Sequence, residues 1–144
     1  MRNNGGGYLN QLTDMLDFLL PEGPIFITRD KAGHEDITYS DASCVDLPMV
    51  VLVNAATYSA AEFFAAELQE QGVARIVGEP TSGKGYSQQT FGLPHGGAVA
   101  ISTASYYTGS GTSLIGTGLT LDQEVYLTDE GDAQLEAALE LLKP

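Results

Sequence analysis

Hydrophobic positions change their period several times along this 144-residue chain, and each change marks an element. Apolar residues at 9, 12, 15, 16, 19 and 20, with Pro21 just beyond, predict a helix over 9–20. A β-rich stretch at 24–28, a turn at 30–33 and a second β-rich stretch at 36–39 predict a hairpin. Residues 48–53 form a short continuous apolar run, the pattern of a strand buried on both faces. Residues 60–71, rich in Ala, Glu, Leu and Gln, predict a helix, with Gly72 as the residue that stops it. A strand at 73–77 and a glycine-rich loop at 78–85 follow. Two β-branched or alternating runs, 88–93 and 98–107, flank Pro94-His-Gly-Gly97 as a second hairpin, and further turns fall at 109–112 and 116–118. The last helix, 132–143, has Asp132 as its cap, apolar residues at 135, 138, 139, 141 and 142, and Lys143 in its final turn. No repeat, low-complexity tract or linker interrupts the order, which predicts one α/β domain over 1–144.

Charge narrows the partners. Nineteen acidic residues against six basic ones give a net charge of −13. Six scattered cations cannot assemble a basic patch, which argues against nucleic acid and anionic membranes as partners. One cysteine, Cys44, excludes an internal disulfide and a cysteine-based metal site. No apolar run approaches the roughly 18 residues of a membrane span, and no basic-then-apolar leader is present, so membrane insertion and a signal peptide are not expected. The chain opens on Met1-Arg-Asn-Asn-Gly-Gly-Gly7, a turn with no element before it, which predicts a start that is truncated.

Candidate chemistry concentrates at two turns. Ser59 lies between the apolar run and the Ala-rich helix, where free N–H groups of a first helical turn can face an anion. Ser59-x-x-Glu62 has capping-box spacing, and a capped helix is the plain reading. The alternative is a nucleophilic serine whose oxyanion hole includes the Ala60 N–H, and it requires a base elsewhere. The histidines, His34 and His95, both fall at turn tips, outside any metal-ligand spacing. Gly78-x-x-x-x-Gly83-Lys84 matches most of a phosphate loop, but Gly85 replaces the magnesium-ligating hydroxyl and a strand follows instead of a helix. Lys84, between Gly83 and Gly85, is either a solvated loop charge or a general base. Burial lowers a lysine pKa from about 10.4 by as much as 3–5 units, and Ser-Lys pairs substitute for Ser-His-Asp.

Several stretches, in order, resemble the C-terminal processing peptidases, also called tail-specific proteases. Arg2-Asn-Asn-Gly-Gly-Gly7 resembles that family's R-N-N-x-G-G turn, and Leu47 to Asn54 its strand before the nucleophile. Thr57-Tyr-Ser-Ala-Ala-Glu62 resembles its T-A-S-A-S-E turn, and Gly78-Glu-Pro-Thr-Ser-Gly-Lys-Gly85 its G-E-x-T-x-G-K-G loop. Tyr106-Tyr-Thr-x-Ser-Gly111 and Gly118-Leu-Thr-x-Asp122 resemble Y-Y-T-P-S-G and G-I-x-P-D. Lys84 stands 25 positions after Ser59, the family's spacing. Tyr58 and Ala61 depart from its smaller or polar residues, and its prolines near Gly109 and Leu121 are missing.

The resemblance implies a serine endopeptidase acting on unstructured polypeptides near their C-termini, with no metal or cofactor. It implies an α/β fold with a crotonase-like, ClpP-like catalytic core, here truncated at its N-terminus. Ser59 would be the nucleophile and Lys84 the base. The third residue would be Gln88, four positions after the lysine, or Glu62, three after the serine. The oxyanion hole would combine the Ala60 N–H with an N–H of the Gly5-Gly6 turn. The family's export signal, PDZ domain and first catalytic strands would lie upstream, so no PDZ domain is expected here. Its setting implies a periplasmic or other extracytoplasmic location. Sheet edges left open imply a homo-oligomer. A catalytically incomplete module that binds peptides or self-assembles is the alternative.

Overall fold

The computed structural model describes residues 1–143. Its elements run α1 (Leu9–Leu19), β1 (Gly23–Asp30), β2 (Glu35–Ser40), β3 (Met49–Val53), α2 (Ala60–Glu70), β4 (Ala74–Gly78), β5 (Tyr86–Gly92), β6 (Ala98–Tyr107), β7 (Gln123–Glu124) and α3 (Ala133–Leu141). Two sheets form. One is four-stranded and antiparallel, ordered β2-β1-β6-β5. The other is three-stranded and parallel, ordered β3-β4-β7.

α2 is the element around which both sheets are built. Its residues from Ala60 to Leu68 are all buried, which is why an Ala-rich sequence suits it: short side chains let strands and loops approach closely. Phe63 meets the antiparallel sheet through Phe26 of β1 and Tyr106 of β6, with ring centroids 4.9 and 5.5 Å away in edge-to-face contact. Val51 and Val53 of β3 and Ile76 of β4 belong to the same core cluster, as do Leu12 and Leu16 of α1. Gly72, at φ 72, stops α2: its N–H donates to Gln69 O and the Val73 N–H to Leu68 O, each at 2.9 Å. This double closure satisfies two carbonyls of the last turn.

Three expectations change. β3 is not buried on both faces: Val51 and Val53 are buried, whereas Met49, Val50 and Leu52 are half-buried. One face meets the core, and the other is only partly covered. In α3 the buried residues are Gln134 and Ala138, while Leu135, Leu139 and Leu142 stay exposed. Asp132 does cap that helix, its carboxylate accepting from Leu135 N at 3.0 Å, but Lys143 lies beyond the helix end. β7, two exposed polar residues paired to Val77 and Gly78, has no hydrophobic pattern and went unpredicted.

Candidate active site

The turn between β3 and α2 carries Ser59 in a backbone conformation that side-chain sterics disfavour. Its φ is 61° and ψ −129°, far from the extended backbone usual for a capping serine, yet the expected capping box between Ser59 and Glu62 forms. A non-glycine residue held there costs about 1–3 kcal/mol and persists only where its surroundings impose it. Here they do. The Ser59 N–H donates to Glu62 Oε2 at 2.9 Å, the Tyr58 N–H to Asn4 O at 3.2 Å, and the Thr57 hydroxyl to Met1 O at 3.0 Å. Thus the first four residues flank the serine turn. Asn3 and Asn54 tie them further through a reciprocal pair, Asn3 N to Asn54 Oδ1 at 3.0 Å and Asn54 Nδ2 to Asn3 Oδ1 at 2.9 Å. Arg2 anchors the other side, its guanidinium forking onto Asp132 with two 2.7 Å bonds. Those bonds hold the Asp132 carboxyl below its ordinary range.

Glu62 does more than a capping residue. It is fully buried, and its carboxylate also accepts from Gly83 N at 2.7 Å and from Lys84 N at 3.1 Å. One side chain therefore holds the backbone of the serine turn and the backbone of the lysine loop. The glycines beside Lys84 have packing reasons. A Cβ on Gly83, at φ 75, would lie 2.6 Å from Leu114 O and from Gly118 N, and one on Gly85 would lie 2.6 Å from the Ile115 side chain. The lysine loop is thus pressed against the 114–118 turn, and only glycine permits the contact.

Ser59, Lys84, Gln88 and Tyr106 line one cavity of about 290 Å³, with Gly7 to Leu9, Tyr86 and Ser87 completing the wall. Three consecutive residues of β5 reach this wall because the register slips between Ser87 and Gln88. Among the described residues no hydrogen bond joins the Ser59 hydroxyl to the Lys84 amine; Lys84 Nζ instead sits 5.8 Å from the Tyr58 ring centroid. Gln88 is exposed and does not touch the lysine through a hydrogen bond.

Gly6 abuts the serine turn: a Cβ there would lie 2.8 Å from Ala60 N and 3.1 Å from Ser59 Cβ. Its own N–H, however, donates to Asn4 Oδ1 at 2.9 Å. The amides of Ala60 and Gly5 have no protein acceptor among the described residues. Gly5 packs against the hydroxyl end of Tyr58. Both histidines sit at turns, His34 against Asp30 and His95 in the β5–β6 hairpin, and neither lines the cavity.

Sequence reasoning quoted Tyr106 inside a motif without giving it a part. Its phenol is buried, and its hydroxyl donates to the Lys84 carbonyl. Burial pushes that phenol up, opposed by the Ser59 side chain and assisted by the nearby Glu62 charge. Asn4 and Asn54 were likewise missed as ties of the serine turn.

A model of peptidase family S41 matches residues 1–125 of the chain. The carboxyl-terminal-processing protease of Synechocystis is 37% identical over 151 residues, covering 99% of this chain and 35% of that protein. The carboxy-terminal-processing protease of Bartonella bacilliformis is 40% identical over 126 residues, covering 85% and 29% respectively. Among solved structures, a photosystem II D1 C-terminal processing protease superposes with a TM-score of 0.78 at 35% identity, over 98% of this chain and 37% of that one. The chain thus spans about a third of the length of the relatives it matches.

Proposed function

Because this chain belongs to peptidase family S41, we propose that it carries the hydrolytic centre of a serine-type endopeptidase with a Ser59-Lys84 dyad. The observation that carries this reading is the cavity shared by a serine in strained backbone and a lysine whose loop is tied to that serine by one buried carboxylate. The substrate is an unstructured polypeptide, cut near its C-terminus. The fold is crotonase-like, and residues 1–144 act as one peptidase unit, in a periplasmic or other extracytoplasmic setting.

In the proposed reaction an uncharged Lys84 amine takes the Ser59 proton, and Ser59 Oγ attacks the peptide carbonyl. The Ala60 N–H and the Gly5 N–H hold the oxyanion. Lys84 returns the proton to the leaving amine and then activates the water that hydrolyses the acyl-enzyme. Gln88 lines the cavity within the same wall and orients the amine once substrate fills it. Glu62 sets the spacing of the two backbones. Catalytic hydrogen bonds in empty sites are often long and tighten only around substrate, which accommodates the present Ser59 and Lys84 placement.

The second reading is a module that binds peptides without cleaving them. It is favoured by the absent Ser59–Lys84 bond and by the Gly6 N–H being held by Asn4. Cleavage of an unstructured polypeptide by the wild type, by Ser59→Ala and by Lys84→Ala separates the two. The hydrolytic reading expects each variant to lose at least about a thousandfold. A wild type no faster than either variant defeats it.

A further inference from the structure

The Tyr106 ring is explained by the core, but its hydroxyl is not. The ring packs against Phe26 and Phe63, with centroids 5.7 and 5.5 Å away, and a phenylalanine would fill that space equally. Tyr106 is 2% exposed, and a hydroxyl carried so deep needs polar partners. Its partners are the residues of the cavity. The hydroxyl donates to the carbonyl oxygen of Lys84, and the Tyr106 N–H donates to Gly85 O at 3.0 Å. Tyr106, Ser59 and Lys84 line the same cavity.

We propose that Tyr106 is a positioning residue of the hydrolytic site: its hydroxyl fixes the peptide that carries Lys84 at the wall of the cavity that Ser59 shares. This rests on the reading of Ser59 and Lys84 as nucleophile and base. Glu62 holds the amide of Lys84 and ties it to the serine turn, whereas Tyr106 holds the Lys84 carbonyl. The lysine side chain remains free to move toward the serine when substrate enters.

The test is covalent modification of Ser59 by a fluorophosphonate, resolved into the maximal rate of modification and the half-saturating reagent concentration. It compares wild type, Tyr106→Phe, Ser59→Ala and Tyr107→Phe. Tyr107 has its hydroxyl near Arg29 and Ser105 and serves as the control. Tyr106→Phe should lower the maximal rate about tenfold, the scale of one lost hydrogen bond, with half-saturation unchanged and Tyr107→Phe like wild type. An unchanged maximal rate in Tyr106→Phe, or an effect on half-saturation alone, overturns the proposal while leaving the dyad standing. A wild type that is not modified at Ser59 more than Ser59→Ala overturns the dyad and this proposal with it. Should Tyr106→Phe fail to fold, the Tyr106 hydroxyl proton is read in wild type: a resonance protected from solvent exchange supports the bond to Lys84 O, and one exchanging as fast as that of Tyr107 refutes it.

Discussion

Replacing Glu62 by glutamine should loosen the site at its joint. The carboxylate divides its work: Oε1 accepts from Gly83 N at 2.7 Å, and Oε2 accepts from Ser59 N at 2.9 Å and Lys84 N at 3.1 Å. An amide has one acceptor oxygen, so its NH2 must face a backbone N–H on one side. The less costly orientation keeps the Ser59 and Lys84 bonds and leaves the Gly83 N–H facing a donor in a fully buried position. Losing one charge-assisted bond and orphaning its donor costs about 2–4 kcal/mol. For a chain of this size that lowers the melting midpoint by about 10 °C. The lysine loop would then shift relative to the serine turn, and a displacement near 1 Å costs about a hundredfold in rate. Thermal unfolding by circular dichroism and polypeptide cleavage at a temperature where the variant is fully folded measure the two effects. A Glu62→Gln protein with wild-type midpoint and wild-type rate refutes the bracing argument. A lowered midpoint with an unchanged rate refutes its bearing on the site.

Gly83→Ala combines a φ of 75° with a Cβ 2.6 Å from Leu114 O and from Gly118 N, and should destabilise the fold by about 2–4 kcal/mol in denaturant titration; an unchanged midpoint contradicts the close approach. Gly6→Ala places a methyl 2.8 Å from Ala60 N, where the oxyanion is expected, and should reduce cleavage by about a hundredfold or more. Wild-type turnover in that variant removes the Ala60 amide from the mechanism. Burial raises the Glu67 carboxyl above its ordinary value, so the folded state holds that proton more tightly than the unfolded one. Its contribution is full below the unfolded value and fades as pH rises through the folded value. The melting-point difference between wild type and Glu67→Gln should therefore favour wild type more at pH near 4.5 than at pH 7, and a difference independent of pH counts against it.

What the sequence made legible was whatever is encoded locally. A switch from an apolar run to an Ala-rich helix located the Ser59 turn. Gly72 marked the helix end, and Asp132 the start of the next. The Ser59–Glu62 spacing was visible as half of a cap, but the other half of Glu62's role spans 21 and 22 positions to Gly83 and Lys84, beyond any local pattern. Tyr106 reaches Lys84 across 22 positions and was concealed by the aromatic cluster it also serves. The apolar residues of α3 marked a helix but not its buried face, which offers Gln134 and Ala138 to its neighbours, Gln134 Nε2 donating to Val125 O at 2.8 Å. A satisfied polar contact set that helix's rotation, and hydrophobic periodicity alone does not register it.

Peptide mapping of the fluorophosphonate adduct in wild type and Lys84→Ala tests the central claim most directly, since it asks which atom is nucleophilic and whether the lysine makes it so. The account predicts a single adduct on Ser59 in wild type and essentially none in Lys84→Ala. Equal modification of Ser59 in both proteins, or no adduct on Ser59 at any pH at which the wild type is folded, would contradict it.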